Sequence, residues 1–179
     1  MKATGIVRRI DDLGRVVIPK EIRRTMRIRE GTPLEIYTAS DGEVIFKKYS
    51  PMGELSEFAG QYTDVLSRAT NLPVLITDHD HVIAVSGASK KDYLGKRISS
   101  TLEDMIEDRE NYVASPDAKA LYPMADIDKE AGVAFTIIGG GDVAGSVVLM
   151  LNSNGTMPTQ TEIKLVSVAA SFLGKQTEE

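Results

Sequence analysis

The residues best suited to chemistry in this 179-residue chain are arginines gathered near its beginning. The stretch GRVVIPKEIRRTMRIREG, residues 14–31, contains five arginines and one lysine but only two glutamates. A guanidinium group is always charged and presents a planar fork of N–H donors, which matches phosphate oxygens and also the O6 and N7 atoms of guanine. The stretch therefore indicates binding to a polyanion.

Arg23 and Arg24 are adjacent within this stretch. On a helix, adjacent side chains point about 100° apart, so one could read a base while the other holds a backbone phosphate. The alternative is a solvated cationic surface whose arginines pair with Glu21, Glu30 or aspartates in the rest of the chain, which is the more common arrangement in arginine-rich helices. The residues by themselves leave both interpretations open.

The charge of the chain is divided unevenly. Residues 1–50 contain 11 Lys/Arg and 7 Asp/Glu, whereas residues 51–179 contain 10 and 19, in a chain of net charge −5. A basic segment joined to an acidic one is typical of a polyanion-binding module attached to a part that must not bind polyanions. Pro51 and Gly53 interrupt regular structure, so residues 51–54 are predicted to be the linker.

The elements that must position the arginines are predicted to be short. Residues 4–10, TGIVRRI, and residues 14–19, GRVVIP, are typical of two strands joined by the turn-forming DDLG. Pro19 is placed to begin a brief helix, because the first turn of a helix tolerates a missing N–H. This pattern predicts a hairpin followed directly by a helix that carries Arg23 and Arg24.

A second hairpin is predicted from PLEIYTA and EVIFKKY, which flank SDG. Fifty residues of this kind cannot bury much surface, so a partner chain is expected. In a two-fold homodimer every cation occurs twice, symmetrically, which suits a pseudo-palindromic duplex. The side chains expected on the buried face of this hairpin are Leu34, Ile36, Val44 and Phe46.

The text from Thr4 to Pro19, followed by EIRRTMRI and LEIYTASDGEVIFKKY, closely resembles the AbrB family of bacterial transition-state regulators over residues 1–50. The resemblance implies an all-β, AbrB/MazE-like swapped-hairpin dimer with a short helix, which presents arginines to double-stranded DNA in A·T-rich promoter regions. It leaves Lys2, Arg9, Arg27 and Arg29 as general surface charge. The positions that match the family's DNA contacts are Arg8, Arg15, Arg23 and Arg24.

Residues 55–179 are predicted to form an α+β domain with an antiparallel sheet. Apolar residues spaced by three and four indicate a first helix that starts at Leu55 and ends before Pro73. Strands are expected at PVLITD and HVIAVSG, and a long apolar hairpin is expected around GGGD. Two capping boxes predict the starts of further helices, one from Ser100 to Glu103 and one from Thr159 to Glu162.

This order of elements is that of a PAS or GAF sensor domain. The whole chain resembles a sporulation regulator of the AbrB family, and that resemblance favours GAF. The last helix is apolar over too wide a face to pack on one sheet alone, so the first and last helices are expected to meet their counterparts in another copy. One interface in each domain would allow a tetramer as well as a dimer.

A small-molecule ligand of the GAF-like domain is one of two possibilities. A pocket would lie between the sheet and residues 111–130, with Tyr112, Tyr122 and Met124 as possible lining. The other possibility is that these residues only fill the core, because pockets and cores draw on the same apolar side chains. No ligand-binding residue and no cofactor is therefore assigned.

No set of residues indicates an enzyme. The chain has no cysteine, the adjacent Asp11 and Asp12 are interpreted as turn formers, and GGGD lacks the lysine and helix of a phosphate-binding loop. His79 and His81 flank Asp80, but a hairpin turn offers them no third ligand. We therefore expect neither catalytic nor metal-binding residues.

These observations predict a homo-oligomeric, DNA-binding transcription regulator whose C-terminal domain assembles the protein and is a candidate for sensing a small-molecule or protein signal. The family resemblance implies that its targets are sporulation genes and that it acts as both activator and repressor. The alternative is an antitoxin-like protein-binding module of the same N-terminal fold, although such antitoxins usually end in a disordered acidic tail. No run of 18 apolar residues and no secretory signal are seen, so a cytoplasmic location without membrane contact is expected. The family resemblance implies association with the nucleoid, in the forespore.

Overall fold

The structure is a computed structural model that describes residues 4–50, 52 and 55–178. The chain divides into two compact units, residues 1–49 and residues 50–179. Of the predicted linker, residues 51, 53 and 54 lie outside the described residues, whereas Met52 is described and is fully buried in the second unit.

The first unit opens with the predicted turn but not with the predicted strands. The N–H of Asp11 donates to Arg15 O at 3.1 Å, and the N–H of Gly14 donates to Asp11 O at 3.0 Å. The prediction of strands at residues 4–10 and 14–19 is wrong for the single chain, since neither segment forms a β-ladder. Val7 and Val17 are 87% and 70% exposed, so no apolar packing stabilises a two-stranded hairpin, which is marginal by itself.

Helix α1 spans Lys20–Met26 and is followed by the predicted second hairpin. Strands β1, Leu34–Thr38, and β2, Val44–Lys48, pair antiparallel, with Ile36 opposite Phe46. The register places the four side chains predicted for the buried face on one face of the hairpin, as expected. Their expected burial is wrong for the single chain, because Ile36 and Val44 are 61% and 58% exposed. Among residues 4–49, Pro19 alone is buried.

The second unit is built on a five-stranded antiparallel sheet, whose strands are β3 Val74–Thr77, β4 Val82–Ser86, β5 Tyr112–Val113, β6 Ala131–Gly139 and β7 Asp142–Met150. Their order in the sheet is β4-β3-β7-β6-β5. The hairpins predicted around His79–His81 and around GGGD are both present. Edge strand β5 contributes two residues to the sheet, whereas β6 and β7 contribute nine each.

Helices cover both faces of this sheet, because two neighbouring residues of β3 pack against different helices. Ile76 packs in one apolar cluster with residues of α2 and α5, whereas Leu75 packs in a second cluster with residues of α3 and α4. Successive residues of a strand point to opposite faces, so the central strand β7 is buried on both sides, as predicted. The helices are α2 Ser56–Thr70, α3 Lys90–Tyr93, α4 Ser100–Glu107 and α5 Gln160–Gln176.

The two predicted capping boxes have different outcomes. At α5 the box is present, because Thr159 Oγ1 accepts from the N–H of Glu162 at 3.2 Å and Glu162 Oε2 accepts from the N–H of Thr159 at 2.6 Å. At α4 the prediction is wrong by one residue. Ser99, not Ser100, is the N-cap, because its Oγ is fixed by a 2.6 Å hydrogen bond to Tyr122 O and so faces the N–H of Leu102.

Candidate nucleic-acid interface

Arg23 and Arg24 lie in the last turn of α1, and both are exposed. The helix ends in a Schellman motif, in which the N–H of Ile28 donates to Arg23 O at 2.8 Å and the N–H of Arg27 donates to Arg24 O at 3.3 Å. Arg27 itself takes the left-handed conformation, with φ 51°. The carbonyl groups of both arginines are therefore hydrogen-bonded, and their side chains leave a short capped helix towards solvent.

Arg15 is held by the turn that precedes α1. Its Nε donates to Asp11 Oδ2 at 2.8 Å, while Asp11 Oδ1 accepts from the N–H groups of Leu13 and Arg15 at 3.0 and 2.8 Å. These bonds, first those from Arg15, lower the pKa of the Asp11 carboxyl. The bond to Asp11 uses one of the five N–H donors of the guanidinium, whose side chain is 69% exposed. Arg15 is thus oriented and still able to bind phosphate.

Arg8 lies in the irregular segment before this turn and is exposed. The four predicted DNA contacts therefore come from three places in the first unit: an irregular segment, the end of a turn and the end of a helix. The residue that sequence reasoning missed is Asp11, which was assigned to turn formation alone. Its spacing of four residues from Arg15 was the available signal, since the same carboxylate shapes the turn and orients the arginine.

The three residues proposed to line a ligand pocket make contacts with the core or with a neighbouring carboxylate. Met124 is 4% exposed and belongs to the apolar cluster beneath α3 and α4. Tyr122 lies at the surface and donates its hydroxyl to Glu130 Oε1 at 3.0 Å. Tyr112 is half-buried against the same cluster. For Met124, the structure favours the interpretation as core.

The histidines at the β3–β4 turn have different environments. His79 Nε2 lies 2.8 Å from Val143 O, a hydrogen bond to the start of β7, whereas His81 is exposed. Within the described residues, no three His, Cys, Asp or Glu side chains are grouped so that they could hold a metal ion. His79 therefore has a structural partner in the sheet.

Comparison with known proteins decides the family. Residues 54–178 match the profile described as "Stage V sporulation protein T C-terminal, transcription factor". The chain belongs to this stage V sporulation protein T family. Residues 7–53 match the profile described as "Antidote-toxin recognition MazE, bacterial antitoxin".

Individual relatives agree with this assignment. Stage V sporulation protein T of Bacillus subtilis (strain 168) is 53% identical over 182 residues, which cover 100% of both chains. The transition state regulatory protein AbrB of the same organism is 61% identical over 51 residues, 28% of this chain and 52% of that protein. The predicted AbrB-like N-terminal domain is thus confirmed.

The fold of the second unit is also confirmed as GAF-like. The crystal structure of a GAF domain from an Acinetobacter phosphoenolpyruvate-protein phosphotransferase covers 73% of this chain and 84% of its own, with a TM-score of 0.55 at 13% identity. At that identity the likeness shows the fold alone. No described helix combines the length and apolar character needed to cross a bilayer.

Membership of the stage V sporulation protein T family makes this chain a DNA-binding transcription regulator and not an enzyme, as the sequence predicted.

Proposed function

We propose that this family member binds double-stranded DNA of A·T-rich promoter regions through Arg8, Arg15, Arg23 and Arg24, and that it activates some sporulation genes and represses others. The observation that carries this proposal is the capped end of α1, where two adjacent exposed arginines precede a Schellman motif. Phosphate contacts fix register, and base contacts supply specificity. The protein would act in the cytoplasm, on the nucleoid, in the forespore.

The proposal includes a dimer formed through the first unit. This unit has one buried residue among those described, and it exposes apolar side chains on residues 4–10 and 14–19 and on the face of β1 and β2 that carries Ile36 and Phe46. Such a surface cannot be stable in water without cover. A second copy whose hairpin interleaves with the first would bury it and would place each arginine twice about a two-fold axis.

A second interface is proposed in the GAF-like unit, where α2 and α5 lie side by side. The ring of Phe172 stacks on Tyr62 with centroids 5.7 Å apart and lies 5.8 Å from Phe58. Beside these rings, Val65 of α2 and Val168 of α5 are 66% and 60% exposed. Docking of this face on its counterpart in another copy would bury those valines and join dimers into a tetramer.

We further propose that a small-molecule or protein signal at the GAF-like unit alters DNA binding. The start of that unit supports such coupling, because Met52 is fully buried in its core and Ser50 donates to Asp78 at 3.2 Å. The chain is therefore fastened to the unit at residues 50 and 52, directly after the DNA-binding part. A change in the packing around these anchors would be transmitted without a long flexible tether.

The antitoxin alternative makes a different structural demand. An antitoxin of this fold would continue into a disordered acidic tail, whereas residues 55–178 form a sheet covered by helices on both faces. Limited proteolysis gives a direct test, since a resistant fragment of about this size supports the regulator and rapid digestion supports the tail.

Titration of a fluorescent A·T-rich promoter duplex with the full-length protein tests the DNA proposal. Wild-type protein should bind the duplex. The double variant Arg23→Ala/Arg24→Ala should bind it at least tenfold more weakly, because each contact to a base edge contributes about 1–3 kcal/mol. A folded, oligomeric protein that binds no duplex at low salt would overturn the proposal.

A further inference from the structure

The acidic second unit contains one dense group of cations. Residues 51–179 carry ten Lys/Arg, and four of them fall within residues 90–97, beside a single aspartate. All four side chains are exposed. We call them the 90–97 patch; its members are Lys90, Lys91, Lys96 and Arg97.

The patch is displayed from a fixed scaffold. Tyr93, at the end of α3, is 4% exposed, and Ile98 is 3% exposed, so buried side chains anchor the segment on both sides. The N–H of Val82 donates to Lys96 O at 2.9 Å, and the N–H of Ile98 donates to Asp80 O at 2.9 Å. The segment thus runs along the edge of β4, and binding would cost little backbone entropy.

The charges of the patch are available to a partner. Lys90, Lys91 and Lys96 form no ion pair with any carboxylate in the described part of the chain. Arg97 Nη2 lies 3.9 Å from Asp80 Oδ1, at the limit of an ion pair, and its side chain is 48% exposed. Four cations, against Asp92 within the segment and Asp80 beside Arg97, leave an excess of positive charge on this part of an otherwise acidic unit.

We propose that the 90–97 patch is a second DNA contact, which binds backbone phosphates of duplex flanking the site held by the N-terminal arginines. The inference rests on the proposed DNA binding through those arginines. The character of the patch favours phosphate over an acidic protein. Residues 90–97 offer one exposed large apolar side chain, Leu94. A protein interface would need aromatic and apolar anchors that become buried on binding. Phosphate binding needs clustered cations and no such anchor.

The test compares two duplexes that share one central A·T-rich sequence, one of about two helical turns and one of about four. Full-length wild-type protein is titrated against both, over a series of salt concentrations, beside Lys90→Gln/Lys91→Gln. The matched control is Lys119→Gln/Lys129→Gln, which removes the same charge from exposed positions of the same unit. Thermal unfolding should show that both variants fold like wild type, since exposed lysines contribute little to stability.

The patch variant should lose affinity for the long duplex at least threefold, and its salt slope should fall by about 0.9 for each phosphate contact removed. It should bind the short duplex like wild type, and the control variant should match wild type on both. Equal losses in patch and control variants would overturn the proposal in favour of a general field effect. Unchanged binding by the patch variant would also overturn it, with an acidic protein as the remaining partner.

These outcomes separate the patch from the main interface. If Arg23→Ala weakens binding to both duplexes and the patch variant weakens neither, DNA binding by the first unit stands and the second contact does not. If wild-type protein binds neither duplex, the proposed function itself fails, and the patch proposal fails with it.

Discussion

Ser50 donates its Oγ hydrogen to Asp78 Oδ2 at 3.2 Å, and the same carboxylate organises the β3–β4 turn. Asp78 Oδ1 accepts from the N–H groups of Asp80 and His81, each at 2.7 Å. One side chain therefore joins the start of the GAF-like unit to a turn that is distant in sequence.

Replacement of Asp78 should loosen the β3–β4 turn more than replacement of Ser50. Asp78→Ala removes the acceptor of three hydrogen bonds, each worth about 0.5–1.5 kcal/mol, whereas Ser50→Ala removes the bond that Ser50 donates to Asp78. Amide hydrogen exchange should accelerate markedly at Asp80 and His81 in Asp78→Ala and only slightly in Ser50→Ala. Equal exchange in the two variants would mean that the carboxylate does not hold the turn.

Met52 should behave as a core residue although it follows Pro51 in a predicted linker. It is fully buried, so Met52→Ala should lower the free energy of unfolding by about 2–5 kcal/mol. Met157 of the same unit is 42% exposed. Met157→Ala should therefore change the free energy of unfolding by less than about 0.5 kcal/mol. Denaturant unfolding of the two variants measures the difference. A Met52→Ala variant as stable as Met157→Ala would show that residue 52 is not packed in the core.

Asp11 should titrate below the usual range of a carboxyl. Its pKa is lowered by hydrogen bonds from Arg15 and Leu13, so the stabilisation of the turn is complete above the ordinary carboxyl pKa. It should be lost as the pH falls through the depressed pKa of the folded state. Carbon NMR of the carboxyl group gives the midpoint directly. Arg15→Gln should move it back up, whereas Arg9→Gln should not, and equal midpoints in both variants would exclude the Arg15 interaction.

Charge on the exposed face of α2 and α5 should dissociate the proposed tetramer. Val65→Glu/Val168→Glu would place two carboxylates per chain in an apolar interface, where an unpaired charge is costly. Analytical ultracentrifugation should then show dimers held by the first unit. Leu94→Glu/Val113→Glu introduces the same charge at exposed apolar positions away from α2 and α5 and should leave the assembly unchanged. A tetramer that survives the first variant would place the interface elsewhere.

Local patterns predicted much of the GAF-like unit. The Thr159–Glu162 box, the hairpin around GGGD and the buried strand β7 depend on residues close in sequence, so they could be predicted from it. The cap at Ser99 could not, because Tyr122 O, which fixes its hydroxyl, is 23 residues away. Met52 was assigned to the linker because Pro51 breaks regular structure, yet a break in backbone pattern says nothing about where the next side chain is buried.

The first unit shows a second limit of prediction from sequence, which concerns burial by another chain. The turn at residues 11–15 and the β1–β2 hairpin follow from Asp, Gly and alternation, and both are present. Burial of Ile36 and Val44 was predicted from the same alternation, but in the single chain both side chains are exposed. The pattern predicts that a face is to be buried, and it does not say by which chain.

The central claim, that Arg23 and Arg24 bind DNA, is tested most directly by the salt dependence of duplex binding. Fluorescence anisotropy of an A·T-rich duplex should give a steep slope of log affinity against log salt. Arg23→Ala and Arg24→Ala should weaken binding, and the variant that loses a phosphate contact should flatten the slope by about 0.9 per contact. Arg68→Ala, at an exposed position of α2, should match wild type. If all three variants bind with the wild-type affinity and slope, these arginines do not contact DNA and the account of the site is wrong.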